Sequence, residues 1–163
     1  MSEIERAETW MGEALKRARL AAVEDEVPVG AVVVRGEILV GSGHDQRMAL
    51  RDPTAHAEVL ALREAANCLG DWRLEGCELF VTLEPCAMCA GAILLARIGA
   101  LYFGASNPKF GAVGTRLNVL ADPGWNHRVR ILGGIRAGEC AQLLTDYFRA
   151  KRGDKEIDLA GAV

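Results

Sequence analysis

Between residues 29 and 104, short apolar runs alternate with helical patterns, and that alternation leaves few folds open to the chain. Val29 to Val34 is a β-branched run broken at Arg35-Gly36-Glu37 and resumed from Ile38 to Gly43, so the pair reads as a hairpin. A helix is predicted over 55–67, with Val59, Leu60 and Ala66 on its apolar face. A buried strand over Leu79 to Thr82, a helix over 86–97 and an apolar strand over Ala100 to Gly104 follow. Strand, helix, strand, helix, strand is a βαβ pattern with a parallel sheet. Right-handed crossovers then place each helix N-terminus along the carboxyl edge of the sheet, where open α/β sheets bind ligands.

The flanks add helices. Ile4, Ala7, Met11, Leu15, Ala18 and Ala22, three and four apart, predict an amphipathic helix ending before Pro28. Residues 44–54 read as a polar loop, and Gly41-x-Gly43 as strand-end glycines rather than a phosphate loop, because no helix pattern follows at once. Residues 105–128, rich in Gly, Asn and Pro, read as a long functional loop with one short helix near Leu117. A strand over 129–133 comes next. The final helix, over 137–152, is predicted to turn Cys140, Leu143, Leu144, Tyr147 and Phe148 inward and Arg149, Lys151 and Arg152 outward. Residues 153–163 read as a frayed tail, which leaves one domain over 1–152.

The 163 residues are enough to bury a core without disulfides. Five cysteines, an odd number, fit reduced thiols, and no apolar run is long enough to span a membrane, so the expected location is the cytoplasm. A net charge of −3 gives no global sign of a nucleic-acid binder, so any such partner must be held by a local patch.

Chemistry concentrates in two clusters, His56-Ala57-Glu58 and Pro85-Cys86-Ala87-Met88-Cys89. Cysteines three apart share one face of a first helical turn, and a helix starting at Pro85 would favour their thiolates through its dipole. His56 follows Asp52-Pro53-Thr54, a cap-like stretch, so a second helix opening is expected beside the first. Structural zinc closes with four protein ligands, whereas catalytic zinc keeps three and leaves a position for water. His56, Cys86 and Cys89 make three, and Glu58 adds an acid. Each part has a plainer reading: a lone Cys-x-x-Cys suits a redox pair, Glu58 suits a helix start, and His56 suits a satisfied buried position. Their joint occurrence favours zinc-dependent deamination of a nucleobase, where the glutamate is a general acid/base and not a ligand.

Further segments carry a resemblance. Pro28-Val29-Gly30-Ala31-Val32, Asp52 to Glu58, Val81 to Ala92, Arg97-Ile98, Phe103-Gly104-Ala105 and Asn126-His127-Arg128-Val129 resemble the bacterial tRNA adenosine deaminases, over roughly residues 3–152. The resemblance implies a three-layer α/β/α sandwich of the cytidine deaminase-like kind, with a mostly parallel five-stranded central sheet. It implies a homodimer with one Zn2+ per subunit that converts the wobble adenosine of a tRNA anticodon stem-loop to inosine. It makes His56, Cys86 and Cys89 the zinc ligands and Glu58 the proton shuttle, and it puts Val29, Asp45, Ala57, Leu83, Glu84, Asn107, Lys109, Phe148 and Arg152 at the substrate.

Two residues depart from the family pattern. Asp45 stands where relatives usually carry an Asn that bonds the target base; an amide donates and accepts, whereas a carboxylate only accepts. A plainer reading makes Asp45 a turn residue with His44 facing solvent. Asn107 stands where relatives commonly carry Asp, and losing a carboxylate beside a polyanion eases repulsion, which opens single-stranded DNA as a substrate. Two other readings remain: a deaminase of free bases or nucleosides such as guanine or cytosine, and a structural zinc module with Cys68 or Cys77 as fourth ligand. Cys77 and Cys68 are expected a strand length away, and Cys140 is expected in the core.

Overall fold

The computed structural model describes residues 1–161, of which 154–161 are described in backbone only. The elements are α1 (Glu3–Val23), β1 (Gly30–Arg35), β2 (Ile38–His44), α2 (Arg47–Leu50), α3 (Ala57–Leu69), β3 (Cys77–Leu83), α4 (Ala87–Leu95), β4 (Ala100–Ala105), β5 (Arg130–Leu132) and α5 (Ala137–Gly161), with a 3-10 turn at Val119–Ala121. The five strands form one sheet in the order β2-β1-β3-β4-β5. β1 pairs antiparallel with both β2 and β3, while β3, β4 and β5 are parallel. Four strands therefore share a direction and only β1 is reversed.

Strand alternation explains the three layers. Ala31, Val33, Leu79, Val81, Leu101 and Phe103 face one side, in one core with Ala57, Ala61, Ala65, Ala90 and Ile93 of α3 and α4. Val32, Val34, Phe80 and Tyr102 face the other side, with Ala7, Met11, Ala14 and Leu15 of α1 and Cys140 of α5. Phe80 and Tyr102, register partners on β3 and β4, stack with ring centroids 4.6 Å apart. The expected α/β/α sandwich is what forms.

The reversed strand matters for the site. Because β1 runs backwards, its start at Gly30 lies beside the end of β2 at His44, on the same edge as the ends of β3 and β4, where Leu83 pairs with Ala105. Gly41 and Gly43 lie within β2 and let α3 approach: a Cβ would stand 2.4 Å from the Ala61 carbonyl and 2.5 Å from that of Ala57. This fixes how the start of α3 meets the sheet.

Several boundaries differ from expectation. The loop over 44–54 contains α2, whose amides at Met48 and Ala49 are capped by the buried Glu26 carboxylate. α3 buries Ala57, Glu58, Ala61, Leu62 and Ala65, so Val59, Leu60 and Ala66 flank the buried stripe instead of forming it. Ile4 and Ala22, at the ends of α1, are exposed because the helix overhangs the sheet. The short helix near Leu117 is the 3-10 turn two residues later. α5 passes 152 and continues to Gly161, because Lys155, Glu156, Leu159 and Ala160 are good helix formers and no proline stops them; Ala162 and Val163 lie outside the described residues. Phe148 points outward, 45% exposed, since α5 buries only Cys140 fully before leaving the sheet.

Candidate active site

His56 is the N-cap of α3 and Cys86 the N-cap of α4, with Pro85 one residue outside the helix rather than its first residue. Neither N-cap side chain bonds its own helix, although that position normally satisfies a free amide. Both side chains turn toward each other instead. His56 Nδ1 lies 3.6 Å from Cys86 Sγ and 3.4 Å from Cys89 Sγ, and the three donor atoms all fall within 4.8 Å of one another. Zinc–sulfur bonds of about 2.3 Å and zinc–nitrogen bonds of about 2.0 Å, set at tetrahedral angles, require donor separations of about 3.5–3.8 Å. The donor set and its spacing fit a zinc ion held by three protein ligands. Among the described residues this is the metal-competent group found, and Cys68, Cys77 and Cys140 are outside it.

Electrostatics agree with that chemistry. Hydrogen bonds from Cys89 and then His56 pull the Cys86 thiol down to about 4, while the pairing with Cys86 and burial push Cys89 up. Contact with Cys86 raises His56. Glu58, one helical step into α3 and 4% exposed, is pushed up to about 7 by burial. A carboxyl balanced near neutrality beside metal ligands can take and return a proton.

The other expected site residues divide into three groups. Val29, Ala57 and Asp45 are buried at the same edge, joined by the Asp45 N–H to the Val29 carbonyl at 3.1 Å. Leu83 ends β3 there. Asn107 and Lys109 lie in the following loop, where Asn107 Oδ1 accepts the Phe110 and Lys109 amides at 3.0 and 3.3 Å. An Asp at 107 would accept the same two bonds, so the exchange is felt outside the turn, as removed charge. Phe148 and Arg152 are exposed on α5, next to Tyr147 and Lys151, which bind Asp25.

Glu84 organises the loop that follows β4. Its carboxylate is 2% exposed and turned into the loop rather than toward a ligand. One oxygen accepts from the Asn107 amide and the Thr115 hydroxyl, the other from the Val113 and Thr115 amides. Burial alone would raise this carboxyl, but those bonds hold it below the ordinary carboxylate range. Gly111 lets the loop close over it, since a Cβ there would meet the carboxylate at 2.6 Å. Glu84→Gln would face amide hydrogens against N–H donors, and we expect a loss of roughly 1–3 kcal/mol with faster amide exchange at residues 107–115. Unchanged exchange in that loop would contradict this role.

His44 is likewise not solvent-facing: its Nε2 pairs with Glu24 at 2.7 Å, and its side chain is 13% exposed. The sequence reading missed Arg47, Glu26 and Thr115. Arg47 had one readable signal, an Asp two residues earlier in a turn-forming stretch.

A donor triad of one histidine and two cysteines at converging helix starts, with a buried acid beside it, on a five-stranded α/β/α sheet, defines a deaminase-type site. The chain matches the MafB19-like deaminase family over residues 5–152. It is 43% identical over 149 residues to the tRNA-specific adenosine deaminase of Bacillus subtilis, covering 91% of this chain and 92% of that one. Its fold matches a structure from a study of A-to-I editing by tRNA:A34 deaminases at the wobble position, with TM-score 0.80, 43% identity, and 83% and 99% of the two chains covered. It also matches the guanine deaminase of Nitrosomonas europaea, with TM-score 0.74, 26% identity, and 86% and 83% coverage. The chain belongs to the deaminase family that includes the tRNA-specific adenosine deaminases.

Proposed function

We infer that this chain hydrolyses adenosine to inosine and ammonia in the anticodon loop of a tRNA, with one zinc ion per subunit. The observation that carries this reading is the placement of the His56, Cys86 and Cys89 donors beside buried Glu58. Likeness to the B. subtilis enzyme along nearly the whole chain supports the substrate.

His56 Nδ1 and the two sulfurs would hold the ion, and zinc when bound supplies the Lewis acidity that makes water a nucleophile at neutral pH. Glu58 accepts a proton from the attacking water at its carboxylate and delivers it to the ring nitrogen beside the attacked carbon, then carries the second proton of that water to the amine, which leaves as ammonia. Burial keeps bulk water from competing for that proton. Val29 and Ala57 wall the pocket, and the loop organised by Glu84 brings Asn107 and Lys109 to the strand flanking the target. Phe148 and Arg152 extend that surface along α5.

An apolar surface supports a homodimer. Met88 and Leu95, seven apart on one face of α4, are 37% and 72% exposed, and Leu117, in the loop before the 3-10 turn that packs on α4, is 57% exposed. Leu95→Glu is expected to shift the sedimentation coefficient from dimer to monomer; a wild-type protein that sediments as a monomer at micromolar concentration would contradict the dimer. No helix among the described residues is long and apolar enough to cross a membrane, and a tRNA substrate supports a cytoplasmic location.

The likeness to guanine deaminase keeps a free base in view, and Asn107 keeps DNA in view. The test is product analysis on an anticodon stem-loop RNA, the matching DNA hairpin, guanine, cytosine and free nucleosides. Inosine from the RNA at the highest kcat/KM is expected. Xanthine from guanine as the favoured product would overturn the assignment, and equal turnover of the DNA hairpin would move the substrate class to single strands in general.

A further inference from the structure

Asp45, which immediately follows β2 at the edge carrying the cluster, has a side chain only 5% exposed. A carboxylate so far out of water needs a partner. Its Oδ1 accepts the Arg47 backbone N–H and Nε–H, both at 3.1 Å, and its Oδ2 accepts Nε–H at 3.0 Å and Nη2–H at 2.9 Å. The fork is therefore bidentate, which fixes the guanidinium plane as well as its charge. The backbone around it is held too. Asp45 N–H bonds the Val29 carbonyl, Gln46 N–H bonds the carbonyl of Ala55 next to His56, and Glu26 caps the amides of Met48 and Ala49.

The remaining donors face the other way. A guanidinium carries five N–H groups, and Asp45 takes the one on Nε and one on Nη2, which leaves three. Arg47 is 40% exposed, and Gln46 beside it bonds the carbonyl of Ala55, the neighbour of His56, so the fork stands at the sheet edge that carries the ligand cluster. The lone pairs of Asp45 are meanwhile occupied inward. A carboxylate at position 45 therefore does not present a carboxylate to the substrate.

We propose that Asp45 and Arg47 act as one unit, in which the buried carboxylate fixes the guanidinium and the outward N–H groups of Arg47 bind an acceptor atom of the nucleotide entering the site. Arg47 is the substrate-contacting residue and Asp45 its positioning residue. This rests on the reading of the chain as a nucleotide deaminase. The acceptor is either a ring nitrogen of the target purine or a phosphate oxygen beside it, and both use the same donor chemistry.

The test is a double-mutant cycle on the zinc-loaded protein with Arg47→Ala, Asp45→Ala and the double variant, plus Arg47→Lys, assayed on the stem-loop RNA and on free adenosine across a salt series. Zinc content and melting temperature are recorded for each. Arg47→Ala is expected to raise KM on RNA about tenfold with kcat and zinc nearly unchanged, as loss of one charged hydrogen-bond contact should. Arg47→Lys should recover less than half of that loss, because an ammonium cannot reproduce the fork. The double variant should be no worse than the poorer single variant, since a unit can be lost only once. A salt slope reduced by about one in Arg47→Ala identifies a phosphate acceptor, and an unchanged slope with the same loss on adenosine identifies the base. An Arg47→Ala protein within twofold of wild type in KM, or strictly additive effects in the cycle, overturns the proposal. Inactivity of the wild type on both substrates would instead sink the underlying function.

Discussion

Glu58→Gln is expected to bind zinc at wild-type stoichiometry and to lose turnover by about 10²–10⁴-fold, the usual contribution of a positioned general acid/base. The substitution keeps the shape of a 4% exposed side chain, so the α3 stripe of Ala57, Ala61, Leu62 and Ala65 has no reason to repack. It removes only the capacity to exchange a proton. Its carboxylate stands beside the Cys89 thiol without being one of the three donors, and its conservative replacement should leave donor spacing intact. Metal analysis beside steady-state kinetics reads both quantities, with the effect falling on kcat. A Glu58→Gln protein with more than a tenth of wild-type kcat would mean that the carboxylate is structural.

Cys86→Ser and Cys89→Ser are expected to do the reverse, losing metal first and activity as a result. A hydroxyl does not deprotonate as the Cys86 thiol does, which its neighbours have already pulled down to about 4. Two helix N-caps are also left without a ligand to organise them, since neither His56 nor Cys86 caps its own helix. Metal bound to the folded state alone stabilises it by about 4 kcal/mol when free metal exceeds the dissociation constant a thousandfold. For a chain of this size that corresponds to about 8–16 °C in melting temperature, which chelation of the wild type should reproduce. Cys77→Ser should keep its zinc, because Cys77 begins β3 at the edge opposite the cluster. Loss of zinc from Cys77→Ser would restore the structural-site reading.

How legible these features were depended on how local their causes are. The strand runs of β1 to β4 and the helix openings near 55 and 86 are written in residue pattern and spacing, and they emerge within two residues of where they are read. The reversed direction of β1 is also implied by its hairpin, but that its reversal brings Gly30 to the ends of β2 and β3 requires the sheet order. Glu84 shows the opposite case. The resemblance puts it at the substrate, whereas the four donors to its carboxylate come from residues 107–115, up to 31 positions away. Such pairing leaves no local trace.

Helix periodicity failed at Phe148 for a related reason. The period reports which side of a helix is apolar, but not how far the sheet beneath it extends, and α5 still packs Leu143 and Leu144 on the cores while Phe148, a turn further on, is exposed. Asp45 is a further case in which the partner decides what a side chain presents. The charge is cancelled by Arg47 two residues on, through contacts that only the turn before α2 creates.

The central claim is that His56, Cys86, Cys89 and Glu58 use water to replace the amine of an adenine base in RNA. The most direct measurement is to incubate zinc-loaded protein with an anticodon stem-loop RNA in heavy-oxygen water and to analyse the digested nucleosides by mass spectrometry. Inosine at the wobble position carrying the heavy label is expected, with ammonia released in equal amount and neither product accumulating with Glu58→Gln over the same time. Unlabelled inosine, or unmodified adenosine after many equivalents of active, metal-loaded enzyme, would contradict it.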